Sequence, residues 1–444
     1  MTKNEPGPGS NTRKIGLWIA VALVVGNMVG SGVFLLPASL APFGGISILG
    51  WLFTTAGAIT VALMLARLGR MMPAMGGPYA YTRRGIGDMA AFLVAWGYWI
   101  SIWCGNAAIS VAFVGYMAAF FPALAENPAM GAGTALAAIW FLTGVNALGV
   151  REAGILQLST TILKLLPLIA IGTLGLLYLD PGHFRPFNPS GETPFNAVTA
   201  TATLTLWAFL GLESATIPAD SVKNPSRTIP RATIIGTLVA ALVYLLATVG
   251  VMGILPAGDL ANSTAPFAEA GRVIWGSWAG YLIAGGAAIS AFGALNGWIL
   301  LQGQMPLAVA RDGLFPKVFG RMSRRGTPVA GLVISSLLVT GLMALNYTAS
   351  LVEQFTFIIL LATLSTLIPY VFCALAELAI FVREREKFRG ERLAGASVIA
   401  VLALLYSLWA IAGSGKETVA WGISLLLAGL PVYFWQARKV RIRG

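Results

Sequence analysis

Charge is scarce in this chain. Only 10% of its 444 residues are Asp, Glu, Lys or Arg, against about 25% in ordinary soluble domains. That excludes a typical cytosolic globule and a charged, disordered chain. Cysteine is nearly absent too. The two cysteines, Cys104 and Cys373, both fall inside apolar runs, which argues against a disulfide framework or a thiolate metal site. Histidine occurs once, as His183 in a polar loop. No H-E-x-x-H, no phosphate-binding glycine loop ending in G-K-[ST] and no C-x-x-C is present, so these enzyme signatures are missing. The chain is therefore read as not an enzyme, with no cofactor and no metal. Without an ATP site, any transport it performs is expected to be secondary.

What the chain has in abundance is apolar surface. It is 57% hydrophobic, with 52 Gly, 13 Trp and 22 Phe, and its mean hydropathy is +0.79. This is the composition of an all-α, polytopic membrane protein whose partner is the lipid bilayer. At roughly 35 residues per span and loop, about a dozen spans fit. Twelve apolar runs lie near 15–42, 45–69, 87–121, 130–150, 154–179, 194–219, 230–255, 277–309, 328–346, 351–380, 393–413 and 418–437. No cleaved signal peptide is read before the first.

The basic residues test that count. The net charge is +12, but the positives are spread over short loops rather than gathered on one basic face, so nucleic acid is not the expected partner. Lys3, Arg67, Arg83, Arg151, Lys223, Arg311, Arg383, Arg438 and their basic neighbours all fall on one side of an alternating topology. Only Arg185, Arg272 and Lys416 fall in loops on the other side, and Lys164 lies within a span. The positive-inside rule then places both termini in the cytoplasm, and the protein in the cell (inner) membrane. The chain divides into a tail (1–14), two halves (15–180 and 194–380), a final pair of spans (393–437) and a second tail (438–444).

Two spans are interrupted. Gly26-Asn27-Met28-Val29-Gly30-Ser31-Gly32 breaks the first, with Pro37 following. Gly211-Leu212-Glu213-Ser214 breaks the sixth, with Pro218 following. Gly30, Pro37 and Ala38 match Gly211, Pro218 and Ala219 at one constant offset. The first span enters from one side and the sixth from the other, so a repeat between them is inverted. Paired Gly/Pro interruptions at matching positions of two halves point to the central site of a transporter. The alternative, glycine-rich helix contacts, does not explain a carboxylate at the second break.

Within lipid, unwound backbone is tolerated only where it lines a cavity. Free N–H groups at the break in span one, from Gly30, Ser31 and Gly32, suit a carboxylate, with Met28 in the same stretch. Carbonyls of Trp207 and Leu210 suit an ammonium. The two breaks together read as a clamp for an α-amino acid. Glu213, ionisable and well inside a span, is costly there unless paired, hydrated or protonated, so it is read as a group that carries or senses protons, with a structural hydrogen bond to neighbouring backbone as the alternative. Lys164, about ten residues into the fifth span, is either a fixed cation in place of a coupling sodium or a proton site. Snorkelling to the interface is the bland alternative. Trp207, beside the second break, suits a cation–π contact with a cationic substrate. Asn106 is interhelical glue or a ligand contact.

These residues also carry a family resemblance. Gly26 to Ala38, Leu206 to Ala215, Val222-Lys223-Asn224-Pro225, Leu260 to Phe267 and Asp312-Gly313-Leu314-Phe315-Pro316 resemble the basic amino-acid/polyamine antiporters of the amino acid–polyamine–organocation superfamily, such as the arginine/agmatine antiporters. The resemblance covers nearly the whole chain. It implies a five-plus-five inverted repeat like that of the LeuT fold, two additional helices, a homodimer and alternating access. It implies that Trp207 stacks on the substrate, that Trp298 is a middle gate and that Asn106 meets the side-chain head group. Tyr98, Glu213 and Tyr370 match a gate below the substrate, where the glutamate is implicated in pH response. Asn27, Ser31 and Gly32 match the carboxylate end of the site.

There are departures. Ala208 and Ala362 stand where the arginine/agmatine antiporters have serines. Lys164 stands where basic-substrate antiporters have an apolar residue, whereas proton-coupled and neutral amino-acid members carry a lysine in this helix. The resemblance therefore implies exchange of a cationic amino acid for its decarboxylated amine. A proton-coupled carrier of neutral amino acids built around Lys164 is the rival, and a transporter-like amino-acid sensor is a third reading.

Overall fold

The computed structural model describes residues 14–30, 32–34, 36–263, 265–345, 351–384, 393–413 and 416–441. Among them the regular structure is helical, apart from one isolated bridge between Ile15 and Val222. The principal helices are α1 (Leu17–Met28), α2 (Ser47–Met71), α3 (Pro78–Gly85), α4 (Asp88–Met117), α5 (Pro128–Leu148), α6 (Val150–Leu174), α7 (Pro194–Leu206) and α8 (Pro225–Ile254). They continue with α9 (Pro266–Trp275), α10 (Ser277–Arg311), α11 (Val329–Leu345), α12 (Leu351–Arg383), α13 (Leu393–Gly413), α14 (Lys416–Leu427) and α15 (Leu430–Arg441). Seven helical segments among the described residues are long and apolar enough to cross a bilayer on length and composition. Shorter apolar helical segments occupy other expected spans, at Leu17–Met28, Val329–Ala344, Ser397–Gly413 and, across a two-residue turn, Gly422–Gln436.

Local sequence sets the helix starts. Asn127 accepts from the N–H groups of Ala129 (3.0 Å) and Met130 (3.3 Å), and Pro128 fills the first position of α5. Thr193 caps α7 in the same way, accepting from Asn196 N at 3.3 Å ahead of Pro194. Each cap satisfies N–H groups that a helix leaves without internal partners, and proline there forfeits no bond.

Two features differ from the hydropathy pattern. The stretch between the second and third expected spans holds α3, which is too short and too polar to register as apolar. Its Tyr79 and Tyr81 are fully buried while Arg83 and Arg84 point outward. The run expected at 418–437 is two helices, parted at Ala428 and Gly429. A Cβ at Gly429 would meet the Trp96 indole at 2.6 Å, and Trp96 Nε1 donates to Leu425 O (3.1 Å) just before the break.

Small residues let the helices approach. A Cβ at Gly172 of α6 would lie 3.0 Å from the Ala247 backbone of α8, and one at Gly57 of α2 would enter the Tyr406 ring of α13. Buried hydroxyls join helices where packing alone cannot. Thr54 of α2 donates to Ala202 O (2.9 Å) and pairs with Thr205 (2.8 Å) on α7. In an apolar surround such bonds have few competitors.

Candidate functional site

Both expected interruptions are present, and they meet at the centre of the bundle. After α1 the chain leaves the helix at Val29, where Gly30 N turns back to Met28 O (2.9 Å). A short 3-10 turn over Gly32–Phe34 follows. After α7 the chain tightens into a 3-10 turn over Trp207–Phe209. It then becomes extended at Leu210 and reaches Gly211 at φ +106°. A side chain at Gly211 would be strained there, and its Cβ would crowd Asn27 at 3.1 Å and Trp298 at 3.2 Å. The missing Cβ is what lets the second break press against the first. Asn27 Nδ2 donates across the junction to Ser214 Oγ (2.8 Å), and Trp298 Nε1 of α10 donates to Asn27 O (3.2 Å).

Between the breaks lies a cavity of about 40 Å³, room for a few water molecules. Of the residues singled out in the sequence, Asn27, Met28, Gly30, Gly32, Trp207, Leu210 and Trp298 line it. The Trp207 indole lies against Gly32, where an added Cβ would meet its ring at 2.7 Å. Asn27 Oδ1 is buried without a hydrogen-bond partner. Ser31 and the side chain of Ala362 lie outside the described residues.

The geometry departs from the clamp reading at Gly30, and at Asn106 it shows the interhelical contact rather than the ligand contact that the resemblance implies. The Gly30 amide is committed to Met28 O, because the break closes as a tight turn on itself. Asn106 does not line the cavity. It is fully buried, and its Nδ2 donates to Gln302 Oε1 (2.7 Å), while Gln302 Nε2 continues to Ser336 Oγ (2.8 Å). A second amide at the matching depth of α10 draws it into this polar chain. Ser101, Gly105 and Ile109 line the cavity from α4 instead. Their spacing of four residues, one helix face through the expected third span, was the signal available for them.

Beneath the second break, Tyr98 of α4 and Tyr370 of α12 both donate to Glu213, which is fully buried. The ring of Tyr98 lies 6.4 Å from that of Trp298. Three residues far apart in sequence thus form one cluster below the cavity.

Behind the first break, Lys164 of α6 is fully buried and its Nζ donates to Gly26 O (2.6 Å) and to Val29 O. Ser290 of α10 donates to Val29 O (3.3 Å) and Gly30 O (3.2 Å). The carbonyls freed where the helix stops thus find donors from two other helices, as backbone at membrane depth requires.

Along α4 a larger pocket, the vestibule, lies past one end of the cavity, and a charged surface, itself indented by a pocket of about 610 Å³, lies past the other. The vestibule, of about 750 Å³, lies between Phe34, Tyr116 and Phe267 and near the end of α4 that is distant from the Arg-rich face. On the Arg-rich face, Arg83 pairs with Asp88 (2.7 Å) and Asp312 (2.7 Å), Arg311 with Asp220 (2.8 Å) and Arg84 with Glu384 (2.6 Å). Tyr79 donates to Asp312 at 2.8 Å. Burial pushes the Tyr79 hydroxyl up, and the bond to Asp312 adds to it. Burial alone would lower Arg83, but its bond to Asp88 and the negative charge of Asp312 outweigh that and hold it charged.

Comparison with known proteins was consistent along nearly the whole chain. The sequence model of the amino acid permease family matches residues 15–428. The cadaverine/lysine antiporter of Escherichia coli (strain K12) is 34% identical over 446 residues, covering 98% of this chain and 97% of that protein. The putrescine transporter PotE of Haemophilus influenzae is 31% identical, covering 98% and 99%. PotE of Escherichia coli (strain K12) is 31% identical, covering 96% of each.

Proposed function

The chain belongs to the amino acid permease family, within the amino acid–polyamine–organocation superfamily, and from that premise we propose that it exchanges a cationic amino acid for its decarboxylated amine. It is a membrane transporter and not an enzyme. The observation that carries the finer reading is the pair of facing breaks around a cavity between Trp207 and Trp298, with the Tyr98–Glu213–Tyr370 cluster beneath it.

In this reading the substrate carboxylate meets the backbone of the first break, near Ser31 and Gly32. The substrate ammonium meets Leu210 O and the unpartnered Asn27 Oδ1. The side chain runs past Trp207 along the Ser101–Gly105–Ile109 face. A cavity of about 40 Å³ is too small for an amino acid, so Trp207 and Trp298 have to part for substrate to enter from the vestibule. Two inverted halves, 15–180 and 194–380, rock around the site, and the spans in 393–437 lie outside that core. Twelve spans, cytoplasmic termini, the inner membrane and a homodimer complete the proposal. The asymmetry of the basic residues supports the orientation.

One observation favours a second reading. The cavity lining includes no carboxylate among the described residues, and a lysine ammonium sits directly behind the first break. A fixed positive charge disfavours dicationic substrates by repulsion. Lys164 would then be the coupling site of a proton-driven carrier for neutral amino acids.

Uptake of labelled amino acids into proteoliposomes separates the two. The exchange reading expects lysine or arginine uptake only into vesicles preloaded with cadaverine, putrescine, agmatine or the amino acid itself. Uptake of a neutral amino acid into empty vesicles, driven by an inward proton gradient, would overturn it and establish the second. Saturable binding with no uptake under either condition would point to a sensor.

A further inference from the structure

Below Glu213, one face of α12 closes the way to the Arg-rich surface. Tyr370, Cys373 and Glu377 follow at three and four residues, so they share that face. Tyr370 holds Glu213. Cys373 is fully buried, its thiol 3.9 Å from Pro78 O at the head of α3. One turn on, a Cβ at Gly85 of α3 would come within 2.5 Å of the Ala376 backbone. Glu377 is 0% exposed and receives both Nε and Nη2 (2.9 Å for the latter) of Arg67, from the end of α2. The Arg67 guanidinium also lies over the Phe381 ring at 5.7 Å.

Neither Arg67 nor Glu377 lines the cavity, and the substrate reading uses neither. Packing does not account for them, because a buried ion pair is commonly no more stabilising than apolar side chains of the same size. What a bidentate pair supplies is register: one geometry satisfies it and a shifted helix does not. It also suits an interface that opens to water, since both charges are well solvated once apart.

We propose that Arg67 and Glu377 are positioning residues of the transport cycle. Their ion pair is a latch that holds α12 against α2 and α3, and it parts when the path from Glu213 to the Arg-rich face opens. Cys373, on the same face between Tyr370 and Glu377, is wetted by that movement. The proposal rests on the transport reading above.

The test uses Cys373 as a built-in reporter. With C104A it becomes the sole thiol of the chain, and a small charged methanethiosulfonate reagent reports its exposure in proteoliposomes with the Arg-rich face outward. The latch predicts that E377Q and R67M each raise the labelling rate at least fivefold. It predicts that the double variant labels no faster than either single one, and that the exchanged pair R67E/E377R returns towards the parent rate. Labelling within twofold of the parent in both single variants, with each eluting as a monodisperse protein, would overturn the latch. If E377Q does not fold, R67M/E377M replaces the pair by apolar side chains, and an unchanged labelling rate in that folded protein would overturn it equally. Labelling needs no transported substrate. Counterflow by the parent protein is measured separately, so failure of the transport reading and failure of the latch are distinguishable.

Discussion

Lys164, fully buried on α6, closes the back of the first break. A lysine ten residues into an apolar span is conspicuous in the sequence, but its purpose is not. The structure shows Nζ on Gly26 O and Val29 O, which serves the unwound segment whatever else the amine does. K164M leaves Gly26 O without its donor while Val29 O keeps Ser290, a loss of about 1–3 kcal/mol for the buried group left unsatisfied. We expect a lower melting temperature in detergent and at least a tenfold fall in uptake; wild-type values for both would show the amine to be dispensable. At Glu213 the partners matter as much as the charge. Y370F removes one of two donors to a buried carboxylate and is expected to shift the pH profile of uptake. A profile unchanged in both Y370F and E213Q would remove the cluster from the proton chemistry. Trp207 was legible from its place beside the second break. Ser101 was not, because its exposure to the cavity depends on how α4 is rotated.

At the scale of the element, the interruptions were readable and their contents were not. Glycines and a following proline announce a break, since they cost a helix backbone entropy and a hydrogen bond. Which amides stay free depends on how the turn closes, and Gly30 closes on Met28. Two glycines of the site separate packing from function. At Gly105 an added Cβ meets nothing within 4 Å, whereas at Gly211 φ is +106° and Asn27 lies at 3.1 Å. G105A is therefore expected to fold as the wild type does and to raise KM for long substrates by roughly threefold or more, with kcat little changed. G211A is expected to express poorly or to lose transport. Normal uptake by G211A would show that the second break need not press on the first. The helix α3 was hidden from hydropathy because its stability comes from two buried tyrosines and from ion pairs to other helices rather than from an apolar run.

At the scale of the whole molecule, the charge asymmetry and the transport assay are the large tests. Engineered cysteines in the loops around Arg185 and Arg325, labelled in intact cells with an impermeant reagent, are expected to react only at the first. Reaction at the second alone would invert the proposed orientation. The sequence by itself determined that the chain is helical and lives in lipid, where its basic residues cluster and where two of its apolar runs break. These follow from local composition and from the cost of charge and of unpaired backbone in an apolar medium. Tertiary structure decided the rest. It alone brought Tyr98, Glu213 and Tyr370 to one point, sent Asn106 to Gln302 rather than into the cavity, and seated Arg67 on Glu377. Those pairings join residues one to three hundred positions apart, and the rotation of each helix about its axis, which hydropathy does not encode, fixes which side chains meet.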